Sequence, residues 1–427
     1  MLQLKVSPHL RHSLHNNTIA LIQWLVISIF IGNVVGFVGV FFHISLEYVQ
    51  QLRMDHSWLL YLLPLAGLLI VDFYRLTGME NDTGTETVIA SVRNGELVKL
   101  RQAPLIFIST ILTHLTGGSA GREGAALQLG GSIAGWFGRV FKLDARDQRV
   151  ITMCGMSTGF SALFGTPLSA AIFAMEVENV GVMYYAALVP CLLGALSARQ
   201  IAGWFGVEKT SFLLSGVPNF PTIQNTFAIL GLGIMCGILA NMFCRVLECM
   251  KNIYHRYFST RWRRVVVGGL LVIIITMLLE TTDYNGAGMH VIKRAIDGYS
   301  FKWAFLIKMF LTAVTLTAGF KGGEIVPSFF VGATFGCVVG PVLGLDPSFS
   351  AGIGLVSVFC GVTNAPMSSI LLCYELFEGK GLALMALAIA ISFMTSGYHS
   401  LYHAQKIAYS KLKGKFINAS PDDETNE

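Results

Sequence analysis

The sequence predicts an all-α protein that crosses a membrane many times and is built from two similar halves. Of the 427 residues, 53% are hydrophobic and only 13% are charged, whereas about 25% of the residues in a typical soluble domain are charged. Apolar runs of helical length follow one another from residue 18 to residue 394. Motifs of the first half return in the second, which indicates a polytopic membrane protein with an internal repeat.

The apolar runs are the candidate membrane helices. Several are shorter than the roughly 20 residues that a full span needs, and Gly and Pro interrupt others. Short and broken helices are typical of transporters that build an ion site at mid-membrane. The runs comprise residues 18–44, 58–73, 104–115, 126–141, 150–175, 184–204, 226–246, 265–279, 303–320, 328–343, 351–376 and 382–394.

Three basic clusters predict the orientation of the chain. The positive-inside rule places all of them, and with them both termini, on the cytoplasmic side. The run 18–44 is too long for the core of a signal peptide and is expected to remain as the first helix. The clusters account for the net charge of +5, so no nucleic-acid partner is expected. They are Lys5 and Arg11; Arg256, Arg261, Arg263 and Arg264; and Lys406, Lys411, Lys413 and Lys415.

The short C-terminal segment and the positions of the cysteines indicate what kind of membrane protein this is. The short segment after Tyr402 leaves no room for a further cytoplasmic domain, which predicts a multi-pass protein of the plasma membrane, namely a prokaryotic inner membrane. The eight cysteines lie mostly within apolar runs and show no Cys-x-x-Cys spacing, which is typical of packing residues. We expect no metal site and no cofactor.

Three pairs of motifs predict a tandem duplication. Each pair is separated by about 200 residues, and the order is the same in both halves, as expected for inverted repeats of a transporter. The chain is predicted to divide, in order, into an N-terminal segment 1–17, a first repeat 18–215, a linker 216–225, a second repeat 226–403 and a C-terminal tail 404–427. Pro218 and Pro221 mark the linker. The pairs are residues 84–89 with 287–292, 121–125 with 323–327, and 164–176 with 364–375; the last pair aligns Pro167 with Pro366 and Glu176 with Glu375.

Residues 117–125, Gly-Gly-Ser-Ala-Gly-Arg-Glu-Gly-Ala, form the candidate functional site. A helix that begins at Glu123 would present free N–H groups and a positive dipole to an anion. Intramembrane charges are costly and are usually kept for function. An ionised Glu123 would occupy the anion site and a protonated one would leave it, although this motif alone is equally compatible with a solvated loop. A second Gly-rich helix start at Glu324 favours the anion site, because two helix N-termini would then converge.

These motifs together resemble the CLC family of anion channels and anion/proton antiporters, from about residue 19 to residue 412. The resemblance rests on Gly121-Arg122-Glu123-Gly124, on the turn at 322–327, and on the segments at Pro167 and Pro366. It implies a CLC-type inverted repeat of roughly eighteen tilted and broken helices, and a homodimer with one pore per subunit. It implies that Glu123 is the gate and proton acceptor. It further implies that the anion is contacted by backbone N–H groups of Gly124, Ile325 and Val326, and that Tyr402 on the last helix touches the central anion.

The chain departs from the family pattern at two motifs. The family's Gly-Ser-Gly-Ile-Pro is replaced by residues 82–87, so Thr85 (or Thr83) must supply any hydroxyl at the anion. The second-repeat motif has Ile325 in place of the usual Phe, and Glu324 precedes it. An acid at this point resembles the fluoride/proton antiporter subclass, but the asparagine-containing first motif of that subclass is absent. Fluoride is therefore only slightly favoured over chloride.

The family's internal proton-transfer glutamate is also missing. Alignment on Pro167 puts Val177 at that position, beside Glu176. We expect Glu176 to be a structural acid, because Glu375 is its repeat mate, and we expect protons to use another inner route, for example through Glu324.

The resulting expectation is halide transport coupled to protons, with lipid, halide anions and protons as partners. The alternative is a passive, voltage- or pH-gated chloride channel on the same scaffold. An enzyme that uses Glu123 and His114 is not expected, because neither a nucleophile nor a metal cluster accompanies them. Residues 184–196 and 382–394 are candidate dimer contacts.

Overall fold

The structure, a computed structural model, describes residues 8–95, 98–218 and 222–421, with side chains from residue 18 onward except at position 419. Its described part contains sixteen α-helices, eight in each half of the chain, and three short strands. The first eight are α1 Pro8–Asp55, α2 Leu63–Leu76, α3 Thr85–Asn94, α4 Gln102–Leu115, α5 Glu123–Val140, α6 Ala145–Phe164, α7 Pro167–Glu176 and α8 Leu188–Trp204. The second eight are α9 Ile223–Tyr257, α10 Arg261–Leu278, α11 Met289–Ile296, α12 Ala304–Ala318, α13 Ile325–Val339, α14 Pro347–Thr363, α15 Pro366–Phe377 and α16 Leu382–Thr395.

The all-α membrane fold agrees with the sequence prediction. Five described helical segments are long and apolar enough to cross a membrane, and six shorter apolar helices accompany them. The two polar helices α3 and α11 were not among the predicted runs, because neither is apolar along its length. Each begins directly after one of the glycines of the first motif pair, Gly84 and Gly288.

Two long predicted runs are each divided at a proline. The run 150–175 becomes α6 and α7, and the run 351–376 becomes α14 and α15. In each case a residue in the left-handed conformation ends the first helix, Gly165 at φ 73° and Asn364 at φ 56°. Pro167 or Pro366 then starts the second helix, where the missing N–H of proline costs nothing.

The helices that begin at the candidate site lie at the centre of the molecule. Most side chains of α5 and α13 are buried, as are those of α6 and α14, which pack against them. Close approach depends on glycine: a Cβ on Gly130 would collide with the carbonyl of Gly155, and a Cβ on Gly332 with the carbonyl of Gly354. The same helix crossing thus occurs once in each half and holds the two motif helices rigidly.

The described residues after α16, up to residue 421, form no helix. Strand β1 (Asn179–Val180) pairs in parallel with β2 (Lys406–Tyr409), which pairs antiparallel with β3 (Phe416–Ala419). Gly397, at φ 68°, follows the end of α16. The expectation that Tyr402 lies on a last helix is therefore corrected, since it lies in the connection between α16 and β2. Of the predicted tail, residues 404–421 are described and contribute this hairpin.

Some predicted features lie outside the described residues. These include Lys5 in the segment 1–17, Pro221 in the linker, and the end of the tail after residue 421. The described part of the N-terminal segment belongs to α1, which begins at Pro8, ten residues before the predicted apolar run.

Candidate functional site

Backbone hydrogen bonds join the two motif turns directly. The N–H of Gly121 donates to the carbonyl of Gly323 at 2.7 Å, and the N–H of Gly323 donates to the carbonyl of Gly121 at 2.8 Å. A Cβ on Gly323 would lie 2.5 Å from the nitrogen of Gly124, so only glycine allows this approach. Helices α5 and α13 begin at this bridge. Their positive N-termini therefore meet, as the repeated motif predicted.

Glu123 lies at the first turn of α5 and is fully buried. Its Oε2 accepts a hydrogen bond of 3.1 Å from the backbone N–H of Arg122, and its Oε1 lies 3.6 Å from Nε of the same arginine. Oε1 has no hydrogen-bond partner. The carboxylate thus lies against its own helix N-terminus with one oxygen left to accept a proton or hydrogen bond.

Glu324 approaches the same point from the second repeat. It is the N-cap residue of α13, and its Oε2 is buried without a hydrogen-bond partner. A Cβ on Gly124 would lie 3.4 Å from this oxygen and 3.1 Å from Oγ1 of Thr85. Gly124, Thr85 and Glu324 are therefore neighbours, and the site contains two carboxyl groups, one from each repeat.

The hydroxyl of Thr85 is fixed by a chain of amides. It donates to the carbonyl of Gly124 at 3.3 Å and accepts from Nε2 of Gln128 at 3.1 Å. Nε2 of Gln102 lies 3.4 Å from Oε1 of Gln128 and donates to Oδ1 of Asp82 at 3.1 Å. Thr83, the other candidate hydroxyl, pairs with Thr87 instead. Sequence reasoning missed both glutamines. Gln128 lies inside the otherwise apolar α5 and offered a usable signal, whereas Gln102 is the first residue of α4.

The remaining predicted residues also lie here. Ile325 and Val326 are buried in the first turn of α13. Tyr402 is buried, and its hydroxyl has no hydrogen-bond partner. Tyr402 is not on a helix, and its contact with the anion stays a prediction.

His114 has a structural contact rather than a catalytic one. Its Nε2 lies 3.2 Å from the carbonyl oxygen of Gly121, a residue whose backbone forms the bridge between the repeats. Among the described residues no group of three or more His, Cys, Asp or Glu side chains could hold a metal ion. The arrangement supports ion binding and proton exchange by carboxyl groups.

The fold and this site define an anion transport protein of the inverted-repeat class. The chain belongs to the CLC family: the family model described as "Voltage gated chloride channel" matches residues 65–397. It is a multi-pass membrane protein that takes part in anion and proton transport and is not an enzyme.

Individual relatives agree with this assignment. A "Chloride/fluoride channel protein" of Pseudomonas syringae pv. tomato is 35% identical over 396 residues, which cover 91% of this chain and 87% of that protein. The crystal structure of a CLC-type fluoride/proton antiporter superposes with a TM-score of 0.87 at 32% identity, covering 91% of this chain and 98% of the other. A slow cyanobacterial Cl−/H+ antiporter gives a TM-score of 0.75 at 20% identity, covering 87% and 94%, and supports the fold.

Proposed function

We propose that this protein is an antiporter that exchanges a halide for protons and that favours fluoride over chloride. The observation that carries the proposal is the pair of carboxyl groups, Glu123 and Glu324, at the meeting point of two helix N-termini. Each has a buried oxygen without a hydrogen-bond partner. A site of this kind can hold an anion or a carboxylate, and it can also take up protons.

In the proposed mechanism Glu123 is both gate and proton acceptor. When ionised it lies at the helix N-termini, where N–H groups stabilise negative charge, and it blocks the anion path. When protonated it loses that attraction, swings away and admits the halide. Gly124, Ile325 and Val326 would contact the anion through backbone N–H groups, and Thr85 and Tyr402 through hydroxyl groups.

The preference for fluoride rests on Glu324. A carboxyl group beside an anion site repels a halide when ionised, but when protonated it donates a hydrogen bond, which fluoride accepts more strongly than chloride. Glu324 would therefore bind a hydrated or protonated fluoride and relay its proton. The names of the Pseudomonas relative and of the solved fluoride/proton antiporter support this preference.

A passive chloride channel is the second candidate, because the matched family model and the Pseudomonas relative both carry the word channel in their descriptions. A channel would move anions without driving protons. The two functions are separated by whether an anion gradient changes internal pH.

The test is ion efflux from proteoliposomes, with fluoride and chloride electrodes in parallel and an internal pH indicator. We expect fluoride efflux well above chloride efflux, together with proton entry. Glu123→Gln is expected to abolish proton entry, whereas Glu47→Gln, at a glutamate whose side chain is 63% exposed, is expected to behave as wild type. Proton pumping by Glu123→Gln would refute the gate, and equal or faster chloride efflux would refute the fluoride preference.

We further propose the topology and assembly that the resemblance implies. Both termini would face the cytoplasm of a prokaryotic inner membrane, together with the basic cluster at Arg256–Arg264. Two copies would form a homodimer with one pore in each. Cysteine-accessibility labelling on either side of the membrane and cross-linking in lipid would test these two statements.

A further inference from the structure

A cavity of about 370 Å³ opens at the face of the molecule that carries the mid-chain basic cluster. Its mouth is formed by the end of α9 and the start of α10, including His255, Arg261 and Arg264. Its deeper wall includes Tyr74, Asp82 and Lys321. The cavity therefore brings residues of the basic face together with Lys321, which lies three residues before Glu324 in the chain, and its lining contains several polar groups.

Two buried polar atoms in this wall have no hydrogen-bond partner. They are Oδ2 of Asp82 and the hydroxyl of Tyr74, which interact electrostatically with each other. The other oxygen of Asp82 is occupied, because Oδ1 accepts from Thr87 at 2.9 Å and from Gln102 at 3.1 Å. Unsatisfied buried polar atoms are costly and often mark a functional position. The fixed Oδ1 leaves Oδ2 to accept a proton.

Lys321 lines the same cavity as Asp82. It is three residues before Glu324, its ammonium lies 4.3 Å from the ring centroid of Tyr74, and it interacts electrostatically with both Asp82 and Glu324. None of the described carboxylates is within ion-pair distance of it. The positive charge of a lysine near two carboxyl groups stabilises the state in which one of them is ionised. Such a lysine therefore assists the transfer of a proton from one carboxyl group to the other.

The family's position for an internal proton-transfer glutamate is unavailable in this chain. Val177 stands there and is fully buried. Its neighbour Glu176 uses both carboxylate oxygens to accept backbone hydrogen bonds from Met367 and Ser368. Protons that reach Glu324 from the basic face therefore need another carboxyl group, and Asp82 has the required position.

We propose that Asp82 is the inner proton-exchange residue and that the cavity at Lys321 is its route to the anion site. The proposal rests on the antiport function proposed above. A proton from solvent in the cavity binds Oδ2 of Asp82, passes by way of the cavity and Lys321 to the carboxylate of Glu324, and from there reaches Glu123. Each step moves one proton between two bases and leaves the total charge unchanged.

A hydrogen-bond network gives Asp82 a second link to the site. Through Gln102, Gln128 and Thr85 it extends to the carbonyl of Gly124. Amide groups do not readily conduct protons, so this network holds Asp82 in place relative to the anion site rather than forming the route.

The experiment compares protons moved per fluoride ion in proteoliposomes of the full-length protein. Asp82→Asn is expected to lower this ratio at least fivefold while fluoride flux stays within about twofold of wild type. The matched control is Glu80→Gln, since Glu80 lines the same cavity but is 51% exposed and pairs with Arg261 at 3.8 Å. The control is expected to keep the wild-type ratio.

Two further variants guard against a folding defect. Asp82→Glu is expected to restore most of the coupling, and Lys321→Gln, which leaves every hydrogen bond of Asp82 intact, is expected to lower it. A wild-type ratio in Asp82→Asn would overturn the inference, as would an equal fall in Glu80→Gln, which would indicate that the cavity acts only through its overall charge. If wild-type protein moves fluoride without protons, the antiport function itself fails.

Discussion

Replacing Glu176 with alanine is expected to destabilise the protein by about 3 kcal/mol without changing proton coupling. Its oxygens accept the N–H groups of Met367 at 3.0 Å and Ser368 at 2.8 Å, at the start of α15 in the opposite repeat. A hydrogen bond to a charged group contributes about 1.5–3 kcal/mol. Two such bonds set an upper range of about 3–6 kcal/mol, and we take its lower end because local relaxation recovers part of the loss.

Glu375, which occupies the equivalent position in the second repeat, provides a comparison for the stability effect. Glu375 accepts from Leu168 at 2.9 Å and from Ser169 at 2.8 Å, so the two glutamates cap each other's repeat. Glu176 is 5% exposed, whereas Glu375 is only partly buried. Water can replace the lost acceptor more easily at Glu375, and Glu375→Ala should therefore cost less.

Thermal unfolding of the purified protein in detergent, followed by intrinsic fluorescence, measures both variants. We expect a melting temperature several degrees lower for Glu176→Ala, a smaller decrease for Glu375→Ala, and about half the full effect for Glu176→Gln, which keeps one acceptor. The proton-to-fluoride ratio of Glu176→Gln should equal that of wild type. An unchanged melting temperature, or a lost proton ratio in a stable Glu176→Gln protein, would refute the structural role.

Two further predictions concern helix packing and the loop before α11. Gly130→Ala should prevent stable folding or lower the melting temperature sharply, because its Cβ would collide with the carbonyl of Gly155. The control Gly231→Ala should be neutral, because nothing lies within 4 Å of its Cβ. Equal melting temperatures of the two variants in detergent would contradict the packing argument. Burial raises the pKa of Asp283, but hydrogen bonds from Arg294 and His290 outweigh it and hold the pKa below its usual value. The stability that the ionised Asp283 gains from Arg294 and His290 is thus present above about pH 4 and is lost as the pH falls through the lowered pKa. When melting temperature is measured against pH, Asp283→Asn should show a smaller decrease at acid pH than wild type.

The sequence predicted most of the long helices, but not the register in which the two motif turns meet. Apolar runs and prolines determine helix positions locally, so they could be located without the structure. The bridge between Gly121 and Gly323 joins residues about 200 positions apart, and no local pattern encodes its register. Helices α3 and α11 were missed because they are short and polar. Tyr402 was wrongly predicted to lie on a last helix, since it lies in the connection between α16 and β2.

Four glutamates differ in how their carboxylate oxygens are satisfied. Glu123 and Glu324 lie at the starts of α5 and α13. Glu176 and Glu375 lie near the C-terminal ends of α7 and α15, and their carboxylates reach a helix N-terminus of the other repeat, where N–H groups attract negative charge. Glu176 and Glu375 have both oxygens hydrogen-bonded to backbone N–H groups of the other repeat, so leaving that position would cost them every partner. Glu123 and Glu324 each have a buried oxygen with no hydrogen-bond partner, so protonation or an incoming anion can change the interactions of that oxygen without removing an existing hydrogen bond. We therefore expect Glu176 and Glu375 to hold the repeats together, and we propose that Glu123 and Glu324 exchange protons and anions.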